Sequence, residues 1–215
     1  MTDIEKSFYD SIERLGSQLD RVEWESPTHY AAWLRQTVGL VRHTTRFICL
    51  AAAKTDIDDR AAHYMWIEHL RGELNHDLVA IRDLKAMGYE PDRIPLFTWT
   101  QKMIDAQYDW INSGHPVALN GYALLLEGLA CLIAPRVLER LQKVRNKSQV
   151  TFLSLHAKVD QDHYPDGLAF LNTLSKAQLE PVQKNLLQAE ALYAAILKEA
   201  ALWGAQHSKQ PSTAA

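Results

Sequence analysis

Cysteine is almost missing from this chain. Cys49 and Cys131 stand far apart in apolar helical runs, and no Cys-x-x-Cys occurs. That argues against a disulfide or thiolate zinc site and reads as two small buried hydrophobes in a reducing compartment. Also missing are alternating strand patterns bounded by hairpin turns, and any apolar run long enough to cross a membrane. The opening MTDIEKSFYDSIERLG is amphipathic and charged, without the apolar core of a signal peptide. Neither sign of charge dominates, since 23 basic and 26 acidic residues give a formal net charge of -3. There is no basic field for nucleic acid and no acidic tail. The expected setting is therefore cytoplasmic, with a small-molecule substrate and no nucleic-acid or membrane partner. A homodimer is the expected assembly, since that is the commonest one for a small enzyme.

What is present is helical spacing of apolar residues almost everywhere. With 215 residues, 47% of them hydrophobic, the chain can bury a sizeable core, and one domain over 1–207 is expected, with a frayed tail at 208–215. The pattern predicts an all-α chain of seven helices at about 2–19, 27–54, 57–88, 96–113, 116–143, 148–163 and 176–205. Ser26-Pro27 opens the second, Thr55 or Asp56 can cap the third, and Gly88 closes it. Pro91, Pro95, Pro116 and Pro165 are expected between helices.

Two distant stretches carry metal-ligand types at the same offsets, i, i+4 and i+7: His69, Glu73, His76 and His156, Asp160, His163. At about 100° per residue these offsets return to nearly one line on a helix, so each set forms a stripe on one face. Taken alone, either stripe can be a solvated face. The first has Glu68, Arg71, Asp77, Arg82 and Asp83 around it to form ion pairs. Glu127 weighs more. It sits in GYALLLEGLACLIAP, where two turns in each direction are apolar or small. An unpaired carboxylate there would cost several kcal/mol or take up a proton, so it needs a buried cation, a proton or a metal. Two histidine-carboxylate stripes are at hand to complete a metal site.

Carboxylates and histidines without a thiol suit iron or manganese. The set fits a non-haem dinuclear iron centre in a helical bundle, with bridging carboxylates between the ions. It is not the ferritin-like pattern, which needs two Glu-x-x-His motifs; only Glu73-Leu74-Asn75-His76 is present.

The run IEHLRGELNHDLVAIRDLKAMG resembles the Glu-x-x-His helix of the haem-oxygenase-like diiron oxidases, also called iron-containing redox enzymes. GYALLLEG is similar to their buried-glutamate helix, and His156-x-x-x-Asp160-x-x-His163 to their closing motif. The resemblance spans about residues 40–170 and implies the seven-helix bundle shared with haem oxygenase and the TenA-type thiaminases. It implies Glu73, His76, Glu127, His156, Asp160 and His163 as ligands of two ferrous ions, with Glu127 as the bridge. Several members carry a glutamate where this chain has His69, and Glu68, one position off the line, is with His69 a candidate for an alternative or orienting ligand. Either His69 replaces an oxygen ligand, or Glu73 supplies the carboxylate and His69 orients a ligand by a hydrogen bond.

The implied activity is oxidation of a C–H or N–H bond in an amino acid, a fatty acid or a derivative. Dioxygen is the co-substrate, bound between the ions and reduced to the peroxo level; no catalytic side chain is singled out. Tyr64, Trp66 and Tyr122 are read chiefly as core, with the cavity wall as their other place. His43 in LVRHTTRF is read as satisfied by packing or a carbonyl. Other classes remain in view. A cofactor-free TenA-like hydrolase needs a cysteine among polar partners, a haem protein wants an axial histidine on the first helix, and a bundle could bind metal without catalysis.

Overall fold

Three helix starts in this chain are set by side chains that turn back onto the backbone. Thr2 and Glu5 form a reciprocal capping box at the first helix, Ser175 and Gln178 do so at the last, and the Asp59 carboxylate accepts from Ala62 N–H. The computed structural model describes residues 1–208, apart from the side chains of Val159, Asp160 and Asp162. Residues 209–215 of the expected tail lie outside the described residues, as does the Asp160 side chain. The described residues form nine α-helices and no strand. They are α1 (Asp3–Leu19), α2 (Pro27–Lys54), α3 (Arg60–Gly72), α4 (His76–Ala86), α5 (Thr98–Asn112), α6 (Leu119–Leu132), α7 (Ala134–Gln142), α8 (Thr151–Leu171) and α9 (Lys176–His207).

Nine helices replace the expected seven because two long spans break. The span over 57–88 divides at Glu73, Leu74 and Asn75, where Asn75 takes a left-handed backbone with φ 67°. Asparagine enters that region more readily than other residues with a Cβ. The span over 116–143 begins as a 3-10 turn and divides at Ile133. Pro135 has no N–H for the Cys131 carbonyl, and Gln161 Nε2 donates to that carbonyl from α8 at 3.2 Å. Pro165 is the opposite correction. It lies inside α8, which runs on to Leu171 because Tyr164, Leu168 and Leu171 stay buried past the missing bond. Gly88 (φ 83°) does close α4: Gly88 N–H donates to Lys85 O and Tyr89 N–H to Leu84 O.

One connected core draws on all nine helices. α6 is its most apolar element and packs against α1, α8 and α9, while α2 packs against α3, α4, α5 and α9. At Gly121 the backbones of α6 and α9 approach so closely that a Cβ would stand 2.5 Å from Leu186 N and Val182 O, which only glycine permits. At one end, α7 and the turn after it are tied to the α1–α2 connection. Arg136 forks onto Asp20 at 2.8 and 2.9 Å, Arg140 forks onto Glu25 at 2.8 Å, and Arg145 donates to the Glu25 carbonyl. No single described helix is long and apolar enough to cross a membrane.

Candidate metal centre

The break between α3 and α4 carries the first stripe. His69 sits in the last turn of α3, Glu73 in the turn itself and His76 at the start of α4. The three do not share one continuous helix, yet they converge. His76 Nδ1 lies 3.3 Å from Glu73 Oε2, and His69 Nε2 lies 3.9 Å from Glu73 Oε1. α8 crosses this turn. The His156 ring stands 4.7 Å from the His76 ring between centroids, and the His163 ring 5.6 Å from that of His69. A Cβ on Gly72 would stand 3.1 Å from His163 Cε1, so the end of α3 comes close to that imidazole.

From α6, buried Glu127 places Oε1 3.2 Å from His69 Nε2. The donors thus fall into two adjoining groups. Ligand atoms of Glu73, His76 and His156 lie within 4.8 Å of one another, while His69 stands beside Glu127 and His163. Asp160 belongs to α8, but its side chain lies outside the described residues.

The electrostatics suit a cation. Burial alone would raise the Glu73 carboxyl, but His76 above all, with His69 and His156, holds it below the ordinary glutamate value. Its charge is kept in a place where only 9% of the residue is exposed. His156 Nδ1 lies 2.9 Å from the Phe152 carbonyl. A carbonyl can only accept, so this nitrogen carries the proton and the metal-binding lone pair of the neutral ring falls on Nε2. Ionised carboxylate and oriented neutral imidazole are what iron asks of its ligands.

A cavity of about 140 Å³ opens from these groups into the bundle. His69, Glu73, Glu127 and His156 are among its lining residues, as are Leu19, Trp24, Ile133, Ala134 and Val137. Neither lysine nor arginine is among the described lining residues, and neither cysteine is. Cys49 is exposed on the outer face of α2, so its reading as a buried hydrophobe is corrected, and Cys131 is half-buried.

Other sequence readings sort as follows. Glu68 is exposed and pairs with Arg71 at 2.7 Å, turned away from the donors by its place on the outer face of α3. His43 Nδ1 lies 2.9 Å from Tyr108 Oη, so it is engaged by a side chain. Trp66 is core, Tyr64 is exposed, and Tyr122 lines the cavity. Burial, and after it the Glu73 charge, raises the Tyr122 phenol well above the usual tyrosine range.

Two features escaped sequence reasoning. The apolar cavity wall draws on α1, α2, α6, α7, α8 and α9, with no signal beyond ordinary core spacing. Asp83, counted among surface ion-pair partners, is 1% exposed, and burial pushes its carboxyl up to about 6. Its one clue was an acid in line with the apolar face of its helix.

The family of iron-containing redox enzymes matches residues 31–196, and this chain belongs to it. A solved domain of unknown function with a heme oxygenase-like fold, from Shewanella denitrificans OS217, superposes with a TM-score of 0.84 at 18% identity, over 99% of this chain and 97% of that one. A TenA homolog from Pseudomonas syringae pv. tomato str. DC3000 superposes with a TM-score of 0.74 at 13% identity, over 92% of each chain. At these identities the likeness defines the fold alone: an all-α, haem-oxygenase-like bundle. Among curated proteins, no sequence matches this chain.

Proposed function

We propose that this protein is a non-haem diiron oxidase or oxygenase, using dioxygen to oxidise a C–H or N–H bond of a small, mainly apolar molecule. One observation carries the reading: two adjoining histidine-carboxylate groups, drawn from α3, the turn after it, α4, α6 and α8, meet beside a mainly apolar cavity that His69, Glu73, Glu127 and His156 help to line. Glu73, His76 and His156 would hold one ion. Glu127 and His163 would hold the other, and Asp160 would complete the ligand set. His69, between Glu73 and Glu127, either joins them or steadies Glu127. Bound ferrous iron supplies the electrons and open positions that dioxygen activation requires.

The chain's own residues do the rest. Glu73 stays ionised among three imidazoles, and the Phe152 carbonyl holds the His156 ring in one tautomer. The apolar wall excludes water and takes the body of the substrate. With no lysine or arginine among the described lining residues, the wall offers a substrate charge no partner away from the histidine-carboxylate groups, so an apolar body with one polar end at the metals is the better fit. A cysteine-dependent hydrolase of the TenA kind is disfavoured, because neither cysteine lines the cavity.

The test is iron analysis of protein from iron-supplemented cells beside Glu127→Ala. Two equivalents of iron that fall sharply in the variant support the reading; iron content equal in the two proteins contradicts it. Stopped-flow absorbance after mixing ferrous protein with oxygen separates an oxidase, which shows a visible transient, from a bundle that only binds metal.

A further inference from the structure

Residue Phe152 makes two hydrogen bonds that join a buried acid to the metal centre. Its N–H donates to Asp83 Oδ2 at 2.7 Å, and its carbonyl faces His156 Nδ1 at 2.9 Å. The Phe152 ring also lies on the His156 ring, 4.1 Å between centroids with the planes 33° apart. Phe152 is in the first turn of α8, where backbone N–H groups have no partner inside the helix. Val150, just before that helix, provides no side-chain cap. The cap comes instead from α4, where Asp83 is seven residues, about two turns, beyond His76. α4 therefore meets α8 at two levels: His76 against His156, and Asp83 against Phe152.

We propose that Asp83 is a positioning residue for the metal centre. By capping α8 from α4, it fixes the Phe152 backbone, and through the Phe152 carbonyl and ring it sets the tautomer and direction of His156 toward Glu73 and His76. The physical case is one of cost. Asp83 is buried, and although Phe152 N–H and the Thr151 backbone and hydroxyl all act on its carboxyl, burial outweighs them. Such a group is expensive to keep, and a plain cap at the surface would do the same for the helix without that expense. What the buried carboxylate adds is a fixed spacing between two helices that each bring a histidine to one site. The inference rests on the reading of His76 and His156 as ligands.

The test compares wild type with Asp83→Ala and Asp83→Asn, the second of which keeps an oxygen that can accept from Phe152 N–H. Cobalt(II) titration of metal-free protein should show affinity about 10-fold to 100-fold weaker in Asp83→Ala, the range for losing a partner that orients a ligand. Asp83→Asn should recover most of it. Nitrogen-15 correlation spectra of metal-free protein should show His156 protonated at Nδ1 in wild type and Asp83→Asn, and a mixture of tautomers in Asp83→Ala. Wild-type affinity and an unchanged tautomer in Asp83→Ala would overturn the proposal. Should wild type and His156→Ala bind cobalt equally, the ligand reading fails; the tautomer comparison still decides whether Asp83 orients the ring.

Discussion

The two ligand-type stripes have identical spacing in the sequence and different backbones in the fold. His156 and His163 ride on one uninterrupted helix, α8, which even continues through Pro165. His69, Glu73 and His76 straddle a break, with Asn75 in a left-handed conformation between Glu73 and His76. A continuous helix holds its donors on one line and cannot move one without the others. A broken helix gives up that line and lets its donors turn separately. Here that brings His76 to His156 and leaves His69 near both Glu127 and His163. One rigid rail and one hinged one make a two-part site where two rigid rails would offer two parallel rows.

The comparison breaks most completely if either rail can lose its histidine without consequence. His76→Ala and His156→Ala should each abolish stoichiometric iron after desalting, while His43→Ala, whose imidazole is engaged by Tyr108, should retain it; elemental analysis reads all three.

Next in size is the tie between the rails. Asp83 has its carboxyl raised from 3.8 to about 6, because burial disfavours the charge. The folded chain thus holds this proton more tightly than the unfolded chain. The contribution to stability is fully present below pH 3.8 and is lost as pH climbs through 6. About two units at about 1.4 kcal/mol each make a change of about 3 kcal/mol. Urea unfolding from pH 4 to 8 should therefore show wild type losing stability relative to Asp83→Asn as the pH rises; a constant difference would show that Asp83 titrates normally.

The hinge itself comes third. Asn75→Val should cost about 1 to 3 kcal/mol, because a β-branched side chain resists a left-handed backbone. Asn75→Gly should leave stability near wild type, whereas Ala157→Gly, in the unbroken rail, should cost about 1 kcal/mol. Equal effects of glycine at the two places in thermal unfolding would contradict the contrast. The smallest effect is expected at Pro165→Ala, which restores a helical N–H for the Gln161 carbonyl and should raise stability by up to about 1 kcal/mol.

Much of the site could be read directly. Glu127 stood out because an acid inside an apolar helix has few physical explanations, and the structure finds it buried beside His69. His156 and His163 were legible because helical spacing translates into a face wherever the helix continues. Glu68 forms the ion pair that its spacing suggested and Asp83 does not, for one reason. Charges next to apolar positions look alike whether they meet water or another helix, and the partner that decides, Arg71 for one and Phe152 for the other, is three residues away in the first case and sixty-nine in the second.

Composition and periodicity were enough to determine an all-α bundle and to single out the histidines and buried Glu127 that the fold gathers, because these follow from spacing along one chain and from the cost of burying charge. Only the tertiary structure decided where long helices break, which donors stand together and what shape the apolar cavity has. Those depend on distances between segments far apart in sequence, and a periodic pattern records which face is covered without recording what covers it.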